Sequence, residues 1–164
     1  MYAAKSSTAG TKTERYAELA EVLEALLAGE PDPTANLANA SAVIMDGLDD
    51  LNWAGFYLMR GGELVLGPFQ GKPACVRIPV GKGVCGTAVE RAASVLVEDV
   101  HAFPGHIACD AASRSELVVP LIRDGVVLGV LDLDSPRPGR FDGADRQGCE
   151  RLVAVLMNHL SGGI

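Results

Sequence analysis

Three cysteines sit where neither helical nor strand periodicity accounts for them: Cys75 after "QGKPA", Cys85 in "GKGVCG" and Cys109 in "HAFPGHIACD". A thiol in such a place can act as a redox nucleophile, hold a metal, or fill a small apolar gap. Cys85 falls at a predicted helix start, where the positive end of the macrodipole favours thiolate over thiol. Cys109 follows His101 and His106 and precedes Arg114, which predicts a positive field there, opposed by Asp110. Zinc is a competing reading, with His101, His106 and Cys109 completed by Cys75 or Cys85. The short Cys-Cys spacing of structural zinc sites is absent. A Cys-His hydrolase would also find its nucleophile and base here, but no nucleophile signature accompanies them. A quiet buried thiol stays open for any single one of the three. Three such positions bracketing one loop are harder to set aside.

The fourth cysteine reads differently. Cys149 lies on a helical stripe with Leu152, Val153, Leu156 and Leu160, where a free thiol behaves as a small hydrophobe.

The elements that must position these groups follow from periodicity. Tyr16, Leu19, Leu23, Leu26 and Leu27 mark a first helix, broken at "AGEPDP". Asp32 and Pro33 begin a second, as N-cap and first helical residue. "WAGFYLMR" and "ELVLGPF" flank Gly61-Gly62, a hairpin turn, and "CVRIPV" is a short strand. "GKGVCGTAVERAA" is a Gly-rich turn feeding a short helix, followed by strand "SVLVED". A second hairpin joins "ELVVPLIR" to "VVLGVLDLD" through Asp124-Gly125. Asp142 can then cap a final helix. Helices at both ends and hairpin-linked strands between them give an α+β fold with a mostly antiparallel sheet.

With 164 residues, 48% apolar and 21% charged, the composition is that of one soluble globular domain. A net charge of −7 without a Lys/Arg cluster argues against nucleic acid or an anionic membrane as partner. "MYAAKSSTAG" reads as a tail, not an export signal, and no apolar stretch is long enough to span a bilayer. The expected location is therefore cytoplasmic, where thiols stay reduced.

Three segments together, "LNWAGFYL", "GKPACVRIPVGKGVCGTAV" and "VEDVHAFPGHIACDAASRSELVVPL", resemble the free methionine-(R)-sulfoxide reductases, each built on a single GAF domain. The resemblance covers residues 12 to 162, with residues 1 to 11 as an N-terminal tail, and includes the order and spacing of Cys75, Cys85 and Cys109. It implies a six-stranded antiparallel sheet with helices packed on one side and a ligand cavity on the other. It further implies reduction of free L-methionine-(R)-sulfoxide with thioredoxin as the dithiol reductant, and no cofactor or metal. A homodimer is left open. By the same likeness Cys109 attacks, Cys75 resolves, and Cys85 joins the disulfide relay in an unassigned role. A thiol attacking a sulfoxide becomes a sulfenic acid, which a second thiol condenses to a disulfide.

The substrate calls for further groups. The family match nominates Trp53 and Tyr57 for the S-methyl, four residues apart and so on one strand face; both also fit a core. Glu116, Asp132 and Asp134 match family positions in substrate binding, with Glu116 and Asp134 also in catalysis. Carboxylates crowded on a strand's buried face would keep a proton near neutral pH and serve as an acid. The competing reading ends an exposed strand at Asp132 and Asp134. Register poses a difficulty: counting from a tight Asp124-Gly125 turn pairs Glu116 with Leu133, on the face opposite the two aspartates. The expectation is a bulge near Pro120, or a Glu116 that reaches in from the loop. Outside catalysis, a GAF small-ligand or thiol redox sensor is the alternative function.

Overall fold

The computed structural model describes residues 10–160 and 164, so most of the expected N-terminal tail and residue 162 lie outside the described residues. Helix α1 (Lys12–Leu27) opens with a capping box in which the Thr11 side chain accepts from the Glu14 N–H and Glu14 accepts from the Thr11 N–H. Helix α2 (Pro33–Gly47) starts as its sequence predicts, with the Asp32 side chain accepting from the Ala35 N–H. Strands β1 (Trp53–Arg60) and β2 (Glu63–Gly71) form the first hairpin, and β3 (Arg77–Pro79) follows. Next come α3 (Gly83–Arg91), β4 (Val95–Val97) and a short 3-10 turn over Val100–Ala102. Strands β5 (Ser115–Arg123) and β6 (Val126–Ser135) form the second hairpin, and α4 (Gly143–Asn158) closes the chain.

The six strands form one antiparallel sheet in the order β3-β2-β1-β6-β5-β4. Alternation divides each strand between two faces. Ala54, Phe56 and Leu58 of β1, Leu117, Val119 and Leu121 of β5, and Leu131 and Leu133 of β6 pack against α1, α2 and α4. Cys149 is fully buried in that layer, and Leu160 packs there too, just beyond the end of α4. Trp53, Tyr57, Val118 and Val130 face the other way, toward α3 with Val84, Cys85 and Ala88. Three helices therefore back one face, while the short α3 walls the other.

Two details differ from the sequence pattern. Cys75 does not open a strand; β3 begins two residues later, and Cys75 lies in the segment leading into it. The register difficulty is resolved by the bulge. Asp124 and Gly125 both adopt positive φ (51° and 78°), the geometry of a tight primed turn. Arg123 then pairs with Val126 and Ile122 with Val127, but Leu121 pairs with Gly129, which leaves Leu128 as an extra residue. From there Glu116 pairs with Asp134 and Val118 with Asp132. One inserted residue turns all three carboxylates to the same face.

Candidate active site

Beneath the 100–114 loop, on the α3 face, is a cavity of about 30 Å³ lined by Tyr57, Cys85, His106, Cys109, Glu116, Asp132 and Asp134, among others. That is room for roughly two water molecules. The lid is fastened covalently, because Cys75 and Cys109 form a disulfide with Cα atoms 5.4 Å apart. Cys85 remains a free thiol on α3, 3% exposed, with its Sγ 3.9 Å from Glu116 Oε1, to which it donates.

The carboxylates are deeply buried: Glu116 and Asp132 are each 6% exposed. Burial raises both pKa values well above the ordinary carboxylate range, reinforced at Glu116 by the Asp134 charge and at Asp132 by the Glu116 charge, while the contact with Asp132 partly opposes the rise at Glu116. Asp134 is raised for the same reasons, with Asp132 as the repelling neighbour, and accepts a hydrogen bond from Ser113 that partly opposes the rise. Asp132 Oδ1 is buried with no hydrogen-bond partner in the protein. Crowding of this kind favours the protonated forms of the three acids. Tyr57 is raised as well, first by burial and then by the Asp132 charge, so its hydroxyl stays protonated and donates to the Cys75 carbonyl at 2.9 Å.

Cys85 departs from its expected thiolate character. It is the third residue of α3, yet burial and the charges of Asp132 and Glu116 push its thiol pKa well up. The helix macrodipole, worth up to about 2 kcal/mol at best, is outweighed by burial among carboxylates. The positive field expected around Cys109 is also thinner than the sequence suggests. Arg114 turns to Asp99 at 3.7 Å, and His101 lies 3.5 Å from the same carboxylate, 64% exposed. His106 alone of the three enters the cavity, with Nε2 3.6 Å from Glu116 Oε2. Burial lowers its pKa, so this pair favours uncharged forms on both sides.

The aromatic expectation is met in an unequal way. Trp53 and Tyr57 share a face with ring centroids 5.8 Å apart, and Trp53 also stacks on Phe69 at 5.2 Å. Tyr57 lines the cavity, whereas Trp53 sits behind it, 3% exposed, its Nε1 donating to the Lys72 carbonyl. The tetrahedral zinc set is not assembled: two of its sulfurs are bonded to each other and His101 faces solvent. Among the described residues, Cys85, Glu116 and Asp132 are the group whose ligand atoms all lie within 4.8 Å of one another.

Sequence reasoning missed the groups that tie the lid to the sheet. Asn52, just before β1, donates through Nδ2 to Asp110 Oδ2 (3.0 Å) and to Ser113 Oγ (3.1 Å). Asp110 also accepts from the Ala112 N–H, which lowers its pKa. The adjacency of Asn52 to Trp53 and of Asp110 to Cys109 was the only clue. His106 was visible as a charged neighbour but not as a partner of Glu116.

A curled antiparallel sheet with a lidded cavity on one face and helices on the other defines a class, and the GAF domain family model matches residues 34–161. Within that class the relatives are specific. The free methionine-R-sulfoxide reductase of Escherichia coli is 59% identical over 145 residues, 88% of this chain and 88% of the relative. That of Saccharomyces cerevisiae is 44% identical, over 88% and 85% of the two chains. The Neisseria meningitidis enzyme of the same name, solved in complex with its substrate, superposes with a TM-score of 0.93 at 44% identity, covering 98% of this chain and 96% of its own. This chain belongs to the free methionine-R-sulfoxide reductase family of GAF-domain proteins. Among the described residues no helix is long and apolar enough to cross a membrane.

Proposed function

We propose that this protein reduces free L-methionine-(R)-sulfoxide to methionine, with Cys109 as the attacking sulfur, Cys75 as the resolving one and thioredoxin as the electron source. The observation that carries the reading is the Cys75–Cys109 disulfide closing the loop over a cavity lined by three crowded carboxylates. Cys109 lines that cavity and Cys75 does not, which favours Cys109 as the atom that meets the substrate. The cycle begins with the loop open and both thiols reduced. Cys109 attacks the sulfoxide sulfur while the carboxylate cluster, with Glu116 and Asp134 foremost, gives a proton to the oxygen. Methionine departs and the oxygen stays on Cys109 as sulfenic acid. Cys75 then displaces that oxygen as water, forming the disulfide, and a dithiol returns both residues to thiols.

Each remaining group has a part in this scheme. Asp132 receives the substrate ammonium or shares the proton with Glu116, a reading that its unpartnered oxygen supports. Tyr57, backed by Trp53, forms the apolar wall for the S-methyl group. Cys85, held as a thiol, donates to Glu116 and is the reserve sulfur of the site. Such a cycle suits the cytoplasm, where dithiol reductants are plentiful.

The test is incubation of the reduced protein with racemic free methionine sulfoxide and dithiothreitol. Methionine accumulates until about half of the sulfoxide is consumed, since one sulfur epimer is accepted. Cys109→Ser releases none even in a single turnover, whereas Cys75→Ser releases one equivalent and stalls with thioredoxin. Failure of the folded, reduced protein to release methionine would leave a ligand or redox sensor. Loss of the first turnover in Cys75→Ser would invert the two roles.

A further inference from the structure

The reductant must reach one of two bonded sulfurs, and the two differ in what surrounds them. Cys109 lines a cavity of about 30 Å³ that also holds His106, Glu116, Asp132 and Asp134. Both bonded cysteines are half-buried, but only Cys109 borders that space, where an approaching thiolate would meet a crowd of acids. Cys75 is outside the lining, in the segment before β3, an edge strand bonded only to β2.

The surface beside Cys75 has a distinct character. Among the described residues four large hydrophobic side chains are exposed, and two of them, Val76 (61%) and Val80 (40%), flank β3 within five residues of Cys75. The other two, Ile122 and Val126, sit at the turn of the β5–β6 hairpin. Charge is uneven as well. In a chain of net charge −7, no Asp or Glu occurs from residue 64 to residue 89, while Lys72, Arg77 and Lys82 are exposed there. Arg77 is partly neutralised by Glu63 at 2.7 Å and Lys72 shares its field with Asp110, which leaves Lys82 as the freer cation. Across the disulfide, Pro104, Gly105 and Ala108 of the lid are exposed and uncharged.

We propose that the Val76–Val80 edge beside Cys75 is the docking surface for the dithiol reductant, and that the reductant attacks Cys75 and not Cys109. The inference rests on the reductase reading above and extends it to the partner's approach. The occupant is a thioredoxin-type dithiol protein, and the exposed valines and lysines call for an apolar partner face with acidic groups at its edge. Its thiolate bonds to Cys75 Sγ, the Cys75–Cys109 bond breaks, and the electron pair leaves on Cys109, which takes up a proton. The partner's second thiolate then attacks its own first sulfur and expels Cys75. Two electrons have moved, the partner carries the disulfide, and both protein thiols are restored. This route frees the attacking sulfur for the next substrate one step before the resolving one.

The experiment uses the oxidised full chain and a thioredoxin with Ser in place of its second active-site cysteine. Rapid acid quenching and peptide mass spectrometry should find the mixed disulfide on Cys75, with Cys109 open to alkylation. A mixed disulfide on Cys109, or none at all, overturns the proposal. In a second arm, Val76→Glu should raise the KM for thioredoxin about tenfold, with dithiothreitol-driven turnover unchanged. An unaltered thioredoxin KM, or an equal loss with both reductants, overturns the docking surface. Methionine released in the first turnover, before any reductant is added, reports separately on the reductase reading.

Discussion

Two sets of carboxylates are withdrawn from water in this molecule, and they are handled in opposite ways. Asp145, at the start of α4, is fully buried but matched: Lys12 Nζ lies at 2.6 Å, Arg140 Nη1 at 3.1 Å, and Tyr16 donates its hydroxyl at 2.9 Å. Asp145 also accepts from the Asp142 N–H, closing a second capping box, so the cluster ties α1 to α4. Gly148 belongs to the same joint, because a Cβ there would meet the Tyr16 ring at 2.1 Å. Across the sheet, Glu116 and Asp132 have no Lys or Arg beside them among the described residues, only each other, Asp134, Cys85 and His106. Burial beside cations makes a charge cluster that holds helices together. Burial beside other acids makes a reservoir of protons, at a cost in stability that only chemistry explains.

The comparison can be broken from either side. Glu116→Gln should cut kcat/KM for the sulfoxide about 10²–10⁴-fold with no loss of Tm, since an amide removes a crowded acid without removing volume. Asp145→Asn should do the reverse. Stranding Lys12 and Arg140 should destabilise the fold by about 3 kcal/mol, read as a Tm fall of roughly 10 °C, while the first turnover survives. The pH dependence of the disulfide-bonded protein, followed by denaturant midpoints, separates the two again. With Glu116, Asp132 and Asp134 raised, the native state holds protons that the unfolded chain sheds near pH 4. Their stabilisation is therefore complete below pH 4 and declines as pH rises toward the folded values, a slope that Glu116→Gln should flatten. Asp142 runs the other way: its hydrogen bond from Lys12 lowers its pKa to about 2, so its contribution is present above pH 4 and is lost as pH falls toward 2. Last and smallest, Tyr16→Phe should cost about 1 kcal/mol. That variant strips the hydroxyl from Asp145 and from Cys149, whose burial pushes its thiol up to about 12.

The sequence spoke most clearly wherever a local rule decided the structure. Asp32-Pro33, Gly61-Gly62, Asp124-Gly125 and Asp142 each start or turn an element by their own backbone chemistry, and each is found doing so. Even the bulge was forced into view, since an ideal hairpin would have split the carboxylates between two faces. What local rules could not supply was the balance of fields at a site assembled from distant segments. Cys85 at a helix start reads as a thiolate until Glu116, from 31 residues away, is placed beside it. Arg114 reads as a neighbour of Cys109 until Asp99 draws it off. Asn52 carries no signature at all, because its importance lies wholly in spanning 58 and 61 residues to Asp110 and Ser113.

The tightness of the closed cavity bears on the order of events in steady state. With the disulfide formed, the cavity over the carboxylates has room for roughly two water molecules. Under the proposed cycle the oxidised protein has no seat for a second sulfoxide. Surplus sulfoxide then cannot trap the enzyme in a dead-end complex or compete with the reductant. Initial-rate plots at varied sulfoxide and fixed thioredoxin should be families of parallel lines, with no substrate inhibition at the upper end.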